Sequence, residues 1–161
     1  MIASGKSSAS LVRDMSRDSE PSLISKAEYE LLAEFRHGLR QFLHFSEEAA
    51  RSLGLTPAHH QALLAIKGFP QRDRVTIGEL AERLQIEHHS AVGLVNRLAA
   101  HGLLTRETGS EDRRQVYVKL TPHGSDLLQQ LTAVHREEIR RLAPRLRQLL
   151  RGLSGDPAKR K

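Results

Sequence analysis

Thr76-Ile77-Gly78-Glu79-Leu80-Ala81-Glu82-Arg83-Leu84-Gln85-Ile86-Glu87-His88-His89-Ser90-Ala91-Val92-Gly93-Leu94-Val95-Asn96-Arg97-Leu98 is the stretch that decides the fold. Thr76 followed by Glu79 is a capping box, in which hydroxyl and carboxylate satisfy backbone donors at a helix start. The spacing predicts a short helix with Leu80, Ala81 and Leu84 turned inward. Gln85-Ile86-Glu87 reads as a tight turn. A second helix then runs from about His88 to His101, with Ala91, Val92, Leu94, Val95 and Leu98 inward and Gly102 as its stop. Two helices joined so tightly are a helix-turn-helix, where the first braces the second and the second offers its N-terminal end and one polar face to an open groove.

Downstream, the periodicity changes. Residues 103–108 and 115–120 are β-prone. Val116, Val118 and Leu120 alternate with Tyr117 and Lys119, the pattern of a half-buried strand. The charged loop Gly109-Ser110-Glu111-Asp112-Arg113-Arg114 lies between them, so the segment reads as a hairpin, a wing beside the helix pair. Thr121-Pro122 opens a last helical region carrying Leu127, Leu131, Val134, Leu142, Leu146, Leu149 and Leu153. Pro144 falls inside it, and an interior proline predicts two helices meeting near Leu142 to Pro144.

Upstream, Thr56-Pro57 starts a helix with Leu63, Leu64 and Ile66, ending near Gly68-Phe69-Pro70. Residues 71–74 read as a polar connection. Ser25-Lys26-Ala27-Glu28 is another capping box. The long helix after it aligns Leu32, Phe35, Leu39, Phe42, Ala49 and Leu53 on one face, with Ser46 in the vacant heptad step and Gly54 at the end. Such a seam suits a pair of helices. The expected fold class is mainly α with a small β-hairpin wing, a winged helix-turn-helix with a pairing seam on its N-terminal helix. Residues 1–24 read as a Ser-rich flexible arm and 154–161 as a flexible tail. Residues 25–153 read as one domain, a winged helix-turn-helix lobe at 56–121 between long helices at 25–54 and 122–153.

Among 161 residues, Lys and Arg number 25 against 19 Asp and Glu, a net charge of +6. That balance favours a polyanionic partner, with nucleic acid first. There is no cysteine, which excludes disulfides, zinc ribbons and thiol switches. No run approaches the ~18 apolar residues of a membrane span, and the N-terminus lacks a signal pattern, so a cytoplasmic protein without membrane contact is expected. No nucleophile elbow, phosphate-binding glycine loop or paired-carboxylate arrangement is present, which argues against an enzyme.

The solvent side of the second helix would display His88, His89, Ser90, Gly93, Asn96 and Arg97. The wing adds Arg113 and Arg114, with Arg106 at its base. These are small, hydrogen-bonding or cationic groups, suited to phosphates and base edges. Free histidine titrates near ~6.5, so His88 and His89 predict tighter duplex binding at mildly acidic pH.

Taken together, Leu80-Ala81-Glu82-Arg83-Leu84, Ser90 through Leu98, Gly102-Leu103, Asp112-Arg113-Arg114 and Leu120-Thr121 resemble the MarR family of multiple-antibiotic-resistance regulators. The likeness is sharpest in the wing, where Asp-Arg-Arg precedes Leu-Thr by five residues, and extends more loosely from about Lys26 to Leu153. It implies a homodimer on double-stranded DNA, dimerising through the N- and C-terminal helices at 25–54 and 122–153 with 56–121 as the DNA-binding lobe, and often a repressor that releases DNA when a small phenolic or other ligand binds. By this resemblance His88, His89, Ser90 and Arg97 map onto helix contacts and Arg113 and Arg114 onto wing contacts, while Asp112 orients a wing arginine. Glu87 and Gly93 depart from the family pattern: Glu is a poor N-cap, and a mid-helix Gly costs about 1 kcal/mol against Ala.

The resemblance also implies a pocket for a small aromatic effector, for which Tyr29, Phe35, His37, His59 and His60 are candidates. The nine histidines raise a zinc-responsive alternative, yet no compact ligand cluster is visible; no metal and no cofactor are assigned. A winged-helix protein-interaction module without DNA binding is the other alternative, and it should lack the exposed cations at Arg97, Arg113 and Arg114.

Overall fold

The computed structural model describes residues 24–109 and 115–154. The elements run α1 (Lys26–Ser52), α2 (Pro57–Lys67), β1 (Arg74–Thr76), α3 (Ile77–Leu84), α4 (His88–Ala100), β2 (Leu104–Thr108), β3 (Val116–Leu120) and α5 (Pro122–Ser154). The expected arm, save Ile24, the expected tail, save Ser154, and the wing residues 110–114 lie outside the described residues.

Local chemistry fixes most boundaries. Ser25, Thr56 and Thr76 each accept the backbone N–H three residues on, and the side chains of Glu28, His59 and Glu79 reach back to the cap residue. All three are capping boxes, with histidine standing in for the usual carboxylate in α2. Between α3 and α4, Gln85 adopts a left-handed conformation at φ 55°. Its N–H is satisfied by Glu82, and the Ile86 N–H by the Ala81 carbonyl. Gly102, at φ +68°, makes the turn that delivers the chain from α4 into β2, a conformation that glycine adopts without steric cost.

The sheet has three antiparallel strands in the order β1-β3-β2. The sequence pattern predicts a two-stranded hairpin and a polar connection at 71–74. In the structure Arg74, Val75 and Thr76 pair with Lys119, Val118 and Tyr117. Three residues are too few to display a period, and β1 exists because β3 supplies the partner.

The core lies where α2, α3, α4 and the sheet meet the first half of α5. Leu63, Ile66, Val75, Leu80, Val95, Leu98, Val118 and Leu131 are essentially inaccessible. Removing side chains of this kind from water contributes roughly 1.5–3 kcal/mol each. On α4 the buried set is Ala91, Leu94, Val95 and Leu98; Val92, expected inward, is only half-buried at the margin.

α5 corrects another expectation. It runs unbroken from Pro122 to Ser154 with Pro144 inside it. The ring removes one helical hydrogen bond, a cost of about 3 kcal/mol. Packing against α1 opposes that cost, since Leu142 and Leu149 are buried there. A Cβ placed on Gly38 would sit 3.1 Å from Leu146, and one on Gly152 3.0 Å from Leu31. The pairing is antiparallel, because Leu31 meets Gly152 at one end while Ser46 meets His135 at the other. A break at residue 144 would strip the last turns of α5 from α1.

The α1 seam is only partly covered. Phe35, Phe42, Ala49 and Leu53 are half-buried, whereas Leu32 and Leu39 are 48% and 40% exposed. Ser46, the polar step in the seam, donates to His135 at 2.7 Å.

Candidate nucleic-acid interface

α4 carries the candidate surface. With 3.6 residues per turn, His89, Gly93, Asn96 and Ala100 form one stripe, and Ser90, Arg97 and His101 the next. All are exposed except Gly93, which is half-buried. His88, His89 and Ser90 occupy the exposed first turn. Glu87 is the N-cap, in an extended conformation, and makes no side-chain cap hydrogen bond. The first amides of α4 therefore have no capping oxygen, and the positive end of the helix dipole is open to an anion.

Gly93 stands at the centre of this exposed arc. A Cβ there would lie 3.4 Å from an Nη of Arg97, so the guanidinium folds back over the space the glycine leaves. The long cation thus lies along the helix face, at ordinary contact distance from where a side chain at position 93 would begin.

β2 flanks the same surface. Arg106 is exposed, and its guanidinium donates to the Asn96 side-chain oxygen on α4. Asp112, Arg113 and Arg114 lie outside the described residues.

A second set of cations, not singled out from the sequence, braces the other side of the sheet. Arg72 pairs with Glu79, and Glu107 pairs with both Lys119 and Arg74. Arg72 lies 4.7 Å from the Phe69 ring centre and Arg74 4.7 Å from that of Tyr117. Burial works against ionisation of Glu79, but hydrogen bonds from Thr76 and Arg72 prevail and hold its carboxyl below the usual range. Hydrogen bonding from Lys119 likewise lowers Glu107. Alternation of Arg74, Lys119 and Glu107 on paired strands is the signal in the sequence, but reading it requires the β1–β3 register.

The five effector candidates are spread out. Tyr29 and His37 are exposed on α1, and Phe35 is half-buried there. His59 and His60 are buried in α2 at 7% and 5% exposure. Burial, with the charges of His101 and Arg97, pushes the His59 pKa down; burial and His135 do the same to His60. None of the five lines the groove of about 540 Å³ bounded by Lys67, Ser125, Leu128, Gln129, Thr132, Ala133 and Arg136. Nor do they line the apolar groove of about 340 Å³ between α1 and α5. Among the described residues no group of three or more His, Asp or Glu is arranged to hold a metal, and no helix is long and apolar enough to cross a membrane.

A braced helix pair followed by a small antiparallel sheet, with the polar side of the second helix open beside the hairpin, defines a winged helix-turn-helix protein. The MarR family model matches residues 53–115, the span from the end of α1 to the start of β3. It is 29% identical over 97 residues to the HTH-type transcriptional repressor YetL of Bacillus subtilis, covering 60% of this chain. The chain spans 57% of the length of YetL and 61% of that of a Thauera aromatica relative. Among solved structures, a mutant MarR from E. coli aligns with a TM-score of 0.61 at 21% identity, over 83% of this chain and 99% of that one. A mutant MepR of S. aureus, bound to an oligodeoxyribonucleotide, aligns with a TM-score of 0.59 at 21% identity, over 70% and 80% of the two chains. At these identities the likeness establishes the fold.

Proposed function

We propose that the chain is a transcription regulator, a repressor, that binds double-stranded DNA as a homodimer in the cytoplasm. α4 enters the major groove, and the β2–β3 hairpin lies against the flanking backbone or minor groove. The observation that carries this reading is the open face of α4: an uncapped N-terminus, exposed His89, Ser90, Asn96 and Arg97, and Arg106 beside them. The role is binding rather than bond chemistry. The repressor sense rests on the likeness to YetL.

The dimer reading rests on the apolar groove between α1 and α5, lined by Leu39, Phe42, Ile139, Leu142, Leu146 and Leu150. Leu39, Ile139 and Leu150 are 40%, 51% and 46% exposed. A second copy of the chain covers this face and sets two recognition helices on successive major grooves, about 34 Å apart, over a pseudo-palindromic operator.

The groove between α2 and α5 suits a small aromatic acid. Arg136 supplies a cation for a carboxylate, beside Lys67, which pairs with Asp73; Leu128 forms an apolar wall, and Thr132 and Gln129 offer further polar contacts.

Recovery of genomic DNA bound by the chain, followed by anisotropy titration of the recovered duplex over a salt series, tests the proposal. Affinity should fall steeply with salt as phosphate counterions are released. A monomer with no salt-sensitive affinity for duplex DNA would overturn it. Thermal shifts with simple hydroxybenzoates test the effector groove separately.

A further inference from the structure

An exposed asparagine on a recognition helix is ordinarily a candidate adenine reader, since its amide matches the N6 and N7 edge in the major groove. Asn96 differs. Its side-chain oxygen already accepts a hydrogen bond from the Arg106 guanidinium. Building on the DNA-binding reading above, we infer that Asn96 is a positioning residue: it fixes Arg106, and with it the angle between α4 and the wing, and does not select a base.

The backbone geometry gives this hydrogen bond its leverage. Asn96 and Arg106 lie on either side of the Gly102 turn, which joins α4 to β2 at φ +68°. The Asn96–Arg106 bond closes that corner on the solvent side. On the inner side Leu98, Leu103 and Leu104 close it in the core. Arg106 shares a strand face with Leu104, two residues before it, and pairs in register with the fully buried Val118. It therefore stands where the inner face of the hairpin leaves the core, directed toward the helix.

The chemistry of the partner matters equally. The other strand cations are neutralised: Arg74 and Lys119 both meet Glu107. Among the described residues Arg106 has no carboxylate within ion-pair range, and its acceptor is a neutral amide. A guanidinium has five N–H donors, and a single amide oxygen leaves the charge and most of the donors available. Asn96 holds the cation in place without cancelling it, the condition a phosphate contact requires. Base selection then falls to the other exposed side chains of α4, with Arg97 folded across Gly93 toward the centre of the face.

The experiment compares the full chain with Asn96→Ala, Arg106→Ala, the double variant and Asn96→Asp. Each is incubated with a randomised operator library, and bound sequences are counted at several salt concentrations. Melting temperatures are measured in parallel. Asn96→Ala should weaken binding by about three- to tenfold for every sequence, leaving base preferences at each operator position unaltered and the melting temperature within a degree or so. Arg106→Ala should lower the salt slope by about one for each phosphate that the arginine neutralises. The double variant should bind no worse than Arg106→Ala, because the asparagine acts only through the arginine. Asn96→Asp keeps the tether but neutralises the cation, and should bind more weakly than Asn96→Ala at low salt. A change of base preference in Asn96→Ala that Arg106→Ala lacks would overturn the inference, as would additive losses in the double variant. Parent chain with no affinity for any duplex overturns the DNA reading and this inference with it.

Discussion

The imidazoles of His60 and His135 lie 4.7 Å apart between ring centres, inclined at 47°, although one comes from α2 and the other from α5. His135 donates from Nδ1 to the Leu131 carbonyl at 2.6 Å and accepts at Nε2 from Ser46 of α1 at 2.7 Å. Phe42 and Phe45 meet its ring edge-on. Three helices thus converge on one buried imidazole, the point where the long α1–α5 pair joins the winged-helix lobe.

Stability should fall on mild acidification. Burial, then the neighbouring His135, lowers the pKa of His60; burial, then His101 and Arg97, lowers that of His59. The folded protein thus resists protonation that the unfolded chain accepts near ~6.5. A depressed histidine contributes stability that is fully present above the unfolded value and is lost as pH falls from there toward the folded one. His59 adds a local cause, since its Nδ1 accepts the Thr56 N–H at 3.5 Å and can do so only when unprotonated. Thermal melts should show a lower Tm at pH 5.5 than at pH 7.5, and His60→Leu should flatten that difference. A Tm independent of pH over this range would contradict the assignment.

Removing the imidazole that joins the helices should cost stability. His135→Leu leaves the Ser46 hydroxyl without its ring acceptor, a penalty of about 1–3 kcal/mol. Adding Ser46→Ala should recover part of it. Urea titration of the two variants measures both effects, and equal losses in the single and double variants would argue against the hydrogen bond as the cause.

Gly124→Ala should destabilise the fold by roughly 1–3 kcal/mol. A Cβ at this position would collide with the Leu103 carbonyl, a backbone atom. The relief is a shift of the α5 start away from the α4–β2 turn. Calorimetry should register the loss, and a fully stable variant would mean that the turn is looser than its packing implies.

Glu87→Ser should raise both stability and DNA affinity. Glu87 is an extended N-cap with no capping hydrogen bond, and a good cap is worth about 0.5–2 kcal/mol. Removing its charge also lessens repulsion of phosphate at the start of α4. Arg97→Ala, by contrast, should leave Tm nearly unchanged while weakening binding by roughly 1–3 kcal/mol. Melting curves beside anisotropy titrations separate the two behaviours.

Leu39→Glu or Ile139→Glu should shift the chain from dimer toward monomer in analytical ultracentrifugation. Both side chains are exposed in the apolar groove between α1 and α5, and a charge buried there without a partner is costly. A variant that remains dimeric would place the interface elsewhere.

The helix-turn-helix was legible because its punctuation is local. The capping boxes at Ser25 and Thr76 name their own helix starts, and Thr56-Pro57 likewise opens α2; the apolar periods of α3 and α4 name the buried faces. β1 was not legible, since Val75 is in a strand only through its partner Val118. The continuity of α5 through Pro144 was also hidden, because it depends on long-range packing against Gly38 and Leu31. At the candidate interface, side-chain exposure on α4 followed from periodicity, but the hydrogen bond between Asn96 and Arg106 required the angle that Gly102 sets. The buried imidazoles were visible as residues and not as neighbours, because 89 positions separate Ser46 from His135.

The Thr121 hydroxyl donates to the Gly102 carbonyl at 2.7 Å and accepts the Gly124 N–H at 3.0 Å, while the Thr121 N–H reaches the Leu103 carbonyl at 3.0 Å. One residue therefore clasps both legs of the hairpin at its root and ties them to the first turn of α5. Mechanically the hairpin is closed at its base, its two legs held together by bonds that do not depend on the residues joining β2 to β3.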